Sequence, residues 1–300
     1  MSPKPSDPNV LTLGIPKGSL QDATVDLFDR AGYKLQISSR SYYPQIDADN
    51  FACVMFRAQE MARYCEDGIV DVGITGHDWV LENGSDVVEV CELEYSRATP
   101  KPVRWVLAVP QESGIDSPEQ LAGGIVATEI MGLTQRYFEE RNIDVKVEFS
   151  WGATEVKARM VDAIVDVTET GSSLRANKLK VIDELLTSTT RLIANKDAWA
   201  DPNKRQRIED LAVLLKGAIA ARNKVGLKMN VPKDKVDAAL EIFADKLQEG
   251  QSPTINELAN GQWVALDVIV ERQVERDLVP PLRRIGATAI FSYNLNKVID

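Results

Sequence analysis

The feature that most constrains the fold is the alternation of short apolar runs with helix-length segments early in the chain. Residues 10–15, 51–57 and 70–75 are apolar runs of strand length, and residues 21–31 and 58–67 carry helical patterns that stop at a glycine. Strands and helices that alternate at these lengths predict parallel sheets, which bind ligands at the carboxyl ends of their strands. We therefore expect an α/β fold with its site at those ends.

A second block repeats the same rhythm. Residues 125–128, 145–150 and 163–167 have the composition of buried strands, and residues 190–195 are apolar enough to form a return strand. A long helix is predicted over residues 201–222, because Asp201 is a good N-cap and proline follows it at the first helical position. The pattern predicts one α/β block inserted within another.

From residue 225 onward the order of elements changes to βαββαβ. Strands are predicted at residues 227–231, 254–258, 263–270 and 289–293, and helices at 233–247 and 274–285. An Asn260-Gly261 turn joins the two middle strands. This order is that of the ferredoxin-like unit, and it carries no catalytic motif here.

The stretch of residues 162–174 holds the most informative motif. The predicted strand at 163–167 leads through a hydroxyl-rich turn, residues 168–173, into a helix start. Gly171 lies inside that turn, and Ser172 and Ser173 follow it. Such a turn gathers backbone N–H groups and hydroxyls around one point and can cradle a phosphate. It differs from the Walker motif, because no lysine follows the glycine.

Three carboxylates, Asp162, Asp166 and Glu169, lie in or beside this turn. They would repel a bare phosphate, whereas ribose hydroxyls or a divalent cation would satisfy them. The motif therefore suggests a ribose phosphate as ligand. The alternative is a capped helix start after a strand, with acids on the surface.

The charge balance limits the possible partners. With 45 Asp and Glu against 35 Lys and Arg, the chain has a net charge of −10, which disfavours nucleic acid as a partner. Binding of anionic substrates would then depend on local cations, of which the candidates are Lys17, Arg57, Arg97, Lys101 and Arg104. We expect no signal peptide or membrane segment, and hence a cytoplasmic protein.

The chain has a single histidine, His77. A serine or cysteine triad could be built only around it, and the sequence lacks the Gly-x-Ser-x-Gly nucleophile motif. Covalent hydrolase chemistry is therefore not expected. We interpret His77 as a turn residue or helix cap.

Residues 162–174 resemble the phosphoribosyl pyrophosphate (PRPP) loop of the ATP phosphoribosyltransferases, which open histidine biosynthesis. Residues 16–20 (Pro-Lys-Gly-Ser-Leu), 67–76 and 152–156 are similar to further motifs of that family, in the same order. The C-terminal extension resembles that of the long-form enzymes. The resemblance implies a two-lobed catalytic region like that of type II periplasmic binding proteins, followed by a ferredoxin-like regulatory domain.

The resemblance also implies domain boundaries and partners. Residues 1–9 would be a disordered tail, residues 10–104 and 190–223 the first lobe, residues 105–189 the second lobe with the PRPP loop, and residues 225–300 the regulatory domain. The expected substrates are ATP and PRPP, with Mg²⁺ carried in by substrate and with histidine as feedback inhibitor. A homo-hexamer in equilibrium with a dimer is expected.

The resemblance assigns roles to individual residues. Asp166 and Glu169 would act in catalysis, facing ribose hydroxyls and the ribosyl transition state. PRPP would contact Thr168, Glu169, Thr170, Gly171, Ser172 and Ser173. ATP would contact Lys17, Gly18, Ser19, Arg57, Thr75 and Gly76, with Ser19 standing where many relatives have arginine. Histidine would contact Asn230, Thr254 and Ser292.

Two other functions remain open from the sequence. One is a two-lobed small-molecule sensor with an attached regulatory unit, which would bind one ligand and form no product. The other is a phosphoribosyltransferase that uses a base other than ATP. Competition between substrates would separate these functions.

Overall fold

The computed structural model describes residues 7, 9–38, 40–95, 102–244, 246–247, 252–259 and 261–299. The predictions for Arg97, Lys101 and Asn260, and for most of the tail at residues 1–9, lie outside the described residues. The chain forms two compact units, Met1–Val213 and Leu214–Asp300.

The strands, in chain order, are β1 (Leu11–Lys17), β2 (Leu35–Gln36), β3 (Gln45–Ile46), β4 (Phe51–Arg57), β5 (Val72–Gly76), β6 (Val88–Leu93), β7 (Val103–Pro110), β8 (Ile125–Thr128), β9 (Lys146–Phe149), β10 (Ala163–Thr168), β11 (Leu179–Ser188), β12 (Thr190–Ala194), β13 (Lys224–Pro232), β14 (Thr254–Glu257), β15 (Trp263–Glu271) and β16 (Thr288–Asn294).

The helices are α1 (Gln21–Ala31), α2 (Ala58–Glu66), α3 (His77–Asn83), α4 (Met131–Glu139), α5 (Thr154–Lys157), α6 (Ser172–Ala176), α7 (Lys196–Ala200), α8 (Pro202–Ala220), α9 (Val236–Ala244) and α10 (Arg272–Arg284). Asp201 caps α8 as predicted, since its Oδ1 accepts from the backbone N–H groups of Asn203 and Lys204 at 2.8 and 3.2 Å.

The first unit contains two five-stranded sheets with the same topology. Their strand orders are β4-β1-β5-β12-β6 and β9-β8-β10-β7-β11. In each sheet one strand, β12 or β7, runs antiparallel to its neighbours, and the others are parallel to one another. The α/β fold class with two lobes is thus confirmed.

The central strands are buried on both faces, which explains their unbroken apolar sequences. In β10, Ala163, Ile164 and Val165 are all fully buried. Ala163 and Val165 pack into one apolar cluster with Trp105 and Phe138, whereas Ile164 packs into a second cluster on the opposite face.

The second unit has the predicted βαββαβ order, and its antiparallel sheet is arranged β14-β15-β13-β16. Alternate residues of β13 and β15, such as Leu227 and Leu266, form a core with Phe243 of α9 and Leu278 of α10. This confirms the ferredoxin-like class.

Several elements were not predicted, and the longest of them are β11 and α4. The ten-residue strand β11 is irregular, with breaks of register between Val181 and Asp183 and between Glu184 and Leu186. Helix α4 follows β8 and covers the second sheet. Among the described residues, no helix has the length and apolar character that crossing a bilayer requires.

Candidate functional site

The strand ends of the two sheets of the first unit meet at one cleft of about 740 Å³. From the first sheet, Lys17, Arg57 and Gly76 end β1, β4 and β5. From the second sheet, Thr168 and Ser188 end β10 and β11. A cleft at the carboxyl ends of parallel strands is where an open α/β sheet binds its ligands.

Of the predicted site residues, ten line this cleft: Lys17, Gly18, Ser19, Arg57, Gly76, Thr168, Glu169, Thr170, Ser172 and Ser173. The cleft therefore brings together residues from both sequence motifs, which lie 150 positions apart. The Nζ of Lys17 lies 3.8 Å from the centre of the Tyr42 ring. Gly18 has φ of +105°, a conformation that favours glycine and turns the chain away from β1.

Thr75 and Gly76, both predicted to contact ATP, are held by contacts within the protein. Thr75 is fully buried, and its hydroxyl donates to the carbonyl of Ala58 at 2.7 Å. Gly76 lies against Asp78, so a Cβ at position 76 would come within 2.0 Å of the Asp78 carboxylate. A side chain there would displace a buried acid that accepts a 2.6 Å hydrogen bond from Trp105 Nε1.

The turn at residues 168–173 is held by its own side chains. Gly171 has φ of +71°, and its N–H donates to the Thr168 hydroxyl at 2.7 Å. The Arg175 guanidinium donates to the Thr170 carbonyl at 3.0 Å. The hydroxyls of Thr170 and Ser172 lie 3.0 Å apart at the cleft surface. The turn is thus fixed in shape, with hydroxyl groups facing the cleft.

An acidic group lies beside this turn. Burial raises the pKa of Asp166 to about 7, and the charges of Glu155 and Glu129 add to the effect. The Glu155 carboxylate accepts a hydrogen bond from the Ser173 hydroxyl. Asp162, in contrast, lies at the other end of β10, where it accepts from the N–H of Ile125 at 2.8 Å.

Glu129 was not singled out from the sequence. It follows β8, lines the cleft, and has a pKa that is raised by burial, while a hydrogen bond with Gln59 and the charge of Arg57 act in the opposite direction. Its position at the end of a parallel strand was the available signal. Among the predicted cations, Arg104 pairs with Glu184 at 3.2 Å.

In the second unit, the three residues predicted to contact histidine do not all project from the same face of the sheet. Asn230 alternates with the buried Leu227 and Met229 along β13, so it projects from the sheet face opposite the helices. Thr254 pairs with Asp267 of β15, and the residues on either side of Asp267 lie in the core. Asp267 and Thr254 therefore project from the same open face as Asn230. Ser292 pairs with Leu227 and therefore projects toward the helix-covered side.

Comparisons with known proteins agree on one family. Residues 57–217 match the family described as "HisG: ATP phosphoribosyltransferase", and residues 221–297 match "HisG, C-terminal domain". An ATP phosphoribosyltransferase of Prosthecochloris aestuarii is 53% identical over 292 residues, covering 97% of this chain and 98% of the relative. That of Pelodictyon phaeoclathratiforme is 55% identical over 292 residues, with the same coverage.

A solved structure is also similar. The ATP phosphoribosyl transferase (HisG:HisZ) complex from Thermotoga maritima contains a chain that is 26% identical and superimposes with a TM-score of 0.60. The match covers 69% of this chain and 99% of that one.

Proposed function

Because the chain belongs to the ATP phosphoribosyltransferase family, the pentosyltransferases that open histidine biosynthesis, we propose that it joins N1 of ATP to C1 of PRPP. The new bond forms between adenine N1 and the ribose C1. The bond from C1 to the pyrophosphate oxygen breaks, and its electron pair leaves with pyrophosphate. The products are phosphoribosyl-ATP and pyrophosphate.

One observation carries this proposal: the hydroxyl-rich turn of one sheet faces the cations of the other across a single cleft. The hydroxyls of Thr168, Thr170 and Ser172 suit the 5-phosphate of PRPP, and Ser173, whose hydroxyl donates to Glu155, would bind it after that bond is exchanged. Lys17 and Arg57 suit the second set of phosphates, which belongs to pyrophosphate or to the triphosphate of ATP. The cleft volume is in the range of small-molecule sites.

Catalysis would come mainly from alignment. Adenine N1 is a neutral nucleophile with an available lone pair, so the step requires no strong base. Holding N1 and C1 together in the attacking geometry removes much of the entropic barrier. Asp166 and Glu169 would bind ribose hydroxyls and stabilise the positive charge that develops on the ribosyl ring.

The donor set of the cleft is compatible with Mg²⁺. The ion takes one or two carboxylates and completes its shell with substrate phosphates and water, and Glu169 supplies a carboxylate at the cleft surface. Within the described ranges, no group of three or more His, Cys, Asp or Glu side chains is arranged around one point. Mg²⁺ brought in by PRPP would neutralise charge on the departing pyrophosphate.

The direct test mixes the full-length protein with ATP, PRPP and Mg²⁺. We expect an increase in absorbance from the adduct, with one pyrophosphate released for each adduct formed. Omitting either substrate should abolish both signals. Pyrophosphate release from PRPP with another base, but not with ATP, would instead identify a different phosphoribosyltransferase.

We further propose that histidine inhibits through the second unit, and that the protein forms a hexamer in equilibrium with a dimer. The open sheet face that carries Asn230 and Thr254 supports this site, whereas Ser292 on the other side would contribute only at the edge. Sedimentation velocity with and without histidine tests the assembly. A monomer under both conditions would refute it.

A further inference from the structure

Trp151 is the most exposed of the large apolar side chains described, with 91% of its surface open to solvent. An indole ring buries more apolar area than most side chains when it is packed, so leaving it in water forfeits that stabilisation. Trp151 lies just after β9, at the same edge of the second sheet as the turn at residues 168–173. An exposed aromatic ring at the ligand-binding edge of a sheet points to a binding role.

The backbone, rather than packing of the ring, fixes this position. Ser150 is buried; its N–H donates to the Thr128 carbonyl at 2.7 Å, and its hydroxyl accepts from Thr154 at 2.8 Å. The two residues after Trp151 both have positive φ, +103° at Gly152 and +49° at Ala153. A left-handed alanine is a strained conformation, and such strain is concentrated at functional sites.

One neighbour supports the ring from the side. The Phe149 ring meets it edge-on, with centroids 4.7 Å apart and planes at 79°. Because 91% of the Trp151 surface is open to solvent, the indole has a face available for another flat group. A ring held by rigid backbone and steadied at its edge is well suited to stacking.

The Trp151 ring borders a second cleft of about 540 Å³. Arg57, Gln59, Trp79 and Glu129 line both this cleft and the main one, so the two clefts are adjacent. A ligand in the second cleft would therefore contact side chains that also line the main cleft.

We propose that Trp151 and Glu129 form the subsite for the purine ring of ATP, with the base stacked on the indole and its exocyclic amine donating to the Glu129 carboxylate. This inference rests on the function proposed above. A contact at the amine orients the base while leaving N1 unblocked. Every base has a π face, so stacking on an aromatic side chain is a general means of holding a base.

The surroundings of Glu129 support the second contact. Burial raises the pKa of Glu129, and the charge of Glu155 raises it further. The ionised carboxylate is therefore destabilised, and an N–H group that donates to it would stabilise it. A purine with a carbonyl oxygen in place of the exocyclic amine would place a hydrogen-bond acceptor against the Glu129 carboxylate, which is also an acceptor. The site would therefore reject such a base, as sites built around one hydrogen bond do.

The first test compares Trp151→Ala with Trp151→Phe. We expect KM for ATP to rise about 5- to 100-fold in Trp151→Ala and much less in Trp151→Phe, which keeps a ring. KM for PRPP should not change. Inorganic triphosphate, which lacks a base, should inhibit both variants as it inhibits the wild type. Met160→Ala is the matched control, because Met160 is an exposed apolar side chain of the same lobe that borders neither cleft.

The second test compares the KM for ATP with the inhibition constant of inosine triphosphate, which has a carbonyl in place of the amine and, because its N1 carries a proton, binds without reacting. The wild type should prefer ATP strongly, and Glu129→Gln should reduce that preference by about 10-fold or more, since an amide can turn to donate. An unchanged preference in Glu129→Gln would refute the contact with the amine.

The outcomes separate this inference from the function it rests on. If the wild type forms the adduct but Trp151→Ala retains the wild-type KM for ATP, the subsite is wrong and the proposed function stands. If Trp151→Ala instead changes the sedimentation coefficient with KM unaltered, a second copy of the chain covers the ring and the subsite is equally refuted. If the wild type forms no adduct, the proposed function fails first.

Discussion

The carboxyl groups of Glu129, Glu155 and Asp166 lie close enough together for their charges to interact. Glu155 raises the pKa of both other acids, and Glu129 also raises that of Asp166. Like charges gathered in this way destabilise the ligand-free protein unless donors approach them. Ribose hydroxyls and an exocyclic amine are such donors, so substrate binding would relieve the repulsion.

The pH dependence of KM for PRPP, compared between the wild type and Asp166→Asn, tests whether substrate hydroxyls approach Asp166. The folded-state pKa of about 7 lies above the usual aspartate value, so the side chain becomes ionised as pH rises through 7. If the ionised form accepts from ribose hydroxyls, KM for PRPP should fall between pH 6 and pH 8 in the wild type. This inflection should be absent from Asp166→Asn. An inflection of equal size in the variant would exclude Asp166 as its source.

The same substitution should affect stability in a defined direction. A carboxyl whose pKa is raised by folding destabilises the folded state once it ionises, so its effect appears as pH rises from about 4 through 7. Above pH 7, Asp166→Asn should raise the free energy of unfolding by up to about 4 kcal/mol, since the pKa rises by about three units on folding. Below pH 4 the two proteins should unfold at the same urea concentration.

Gly171 gives a second prediction at this scale. A Cβ there would lie 2.9 Å from the Arg175 guanidinium, and φ of +71° is unfavourable for other residues. We expect Gly171→Ala to raise KM for PRPP about 5- to 30-fold, and Gly171→Trp to block PRPP binding while leaving histidine binding intact.

Gly114→Ala is the matched control for Gly171→Ala. Gly114 has a similar φ, +74°, with no atom within 4 Å of the added Cβ, and it follows β7 at the sheet edge opposite the cleft. It should reduce stability without changing KM for PRPP. Equal effects of both alanines on PRPP would mean that strain, and not the cleft turn, is responsible.

Single residues were predictable where a motif fixed both chemistry and backbone. The hydroxyl-rich turn at 168–173 and the cations Lys17 and Arg57 follow from such motifs, and the structure gathers them in one cleft. Glu129 and Trp151 carry no local motif. Their importance depends on which strand ends become neighbours, and that is a property of the sheet order.

Among the elements, helix α3 links the two sheets through its contact with α4. The Glu82 carboxylate accepts from the N–H groups of Gly132 and Leu133, both at 2.9 Å, at the start of α4. Arg136 of α4 donates in return to the Leu81 carbonyl at 3.0 Å. A carboxylate at a helix N-terminus is stabilising through both hydrogen bonds and the helix dipole.

Glu82→Ala should therefore lower the free energy of unfolding by about 1–2 kcal/mol, since two helix N–H groups lose their acceptor. Urea denaturation followed by circular dichroism measures the change. Glu112→Ala removes an exposed acid with the same charge and serves as the control. Equal stabilities of the two variants would show that the Glu82 contact contributes nothing.

Element bounds were predictable where pattern and capping agreed. Helix α1 and strands β4 and β8 have the predicted limits, because the apolar period and the stop residues coincide. Strand β11 was missed because its two breaks of register interrupt the alternation that marks a strand. Bulges of this kind are set by pairing with β7 and leave no regular pattern in the sequence.

At the scale of the whole molecule, the two compact units predict two separate patterns of protection. Hydrogen exchange followed by mass spectrometry should show that ATP with PRPP slows exchange in residues 168–173 of the first unit. Histidine should slow exchange in β13 and β14 of the second unit. Histidine protection confined to the first unit would refute the proposed regulatory site.

The fold class of both units was predictable, because each depends on the order of elements rather than on their exact ends. The domain boundary is a different matter: the contacts divide the chain at Val213, inside α8, whereas the sequence pattern changes only near Val225. A continuous helix hides such a division from sequence patterns. The predicted limits of the lobes remain a proposal.

The link between β11 and β12 is a single residue, Thr189, whose carbonyl accepts from the N–H of His77 at 2.9 Å. If the two sheets rotate relative to each other, Thr189 would be a pivot of that rotation, because the link is so short. Ser188 beside it would barely travel, but β9 lies four strand spacings from β11, a lever arm of about 19 Å. The same small rotation would carry Trp151 farther than the turn on β10.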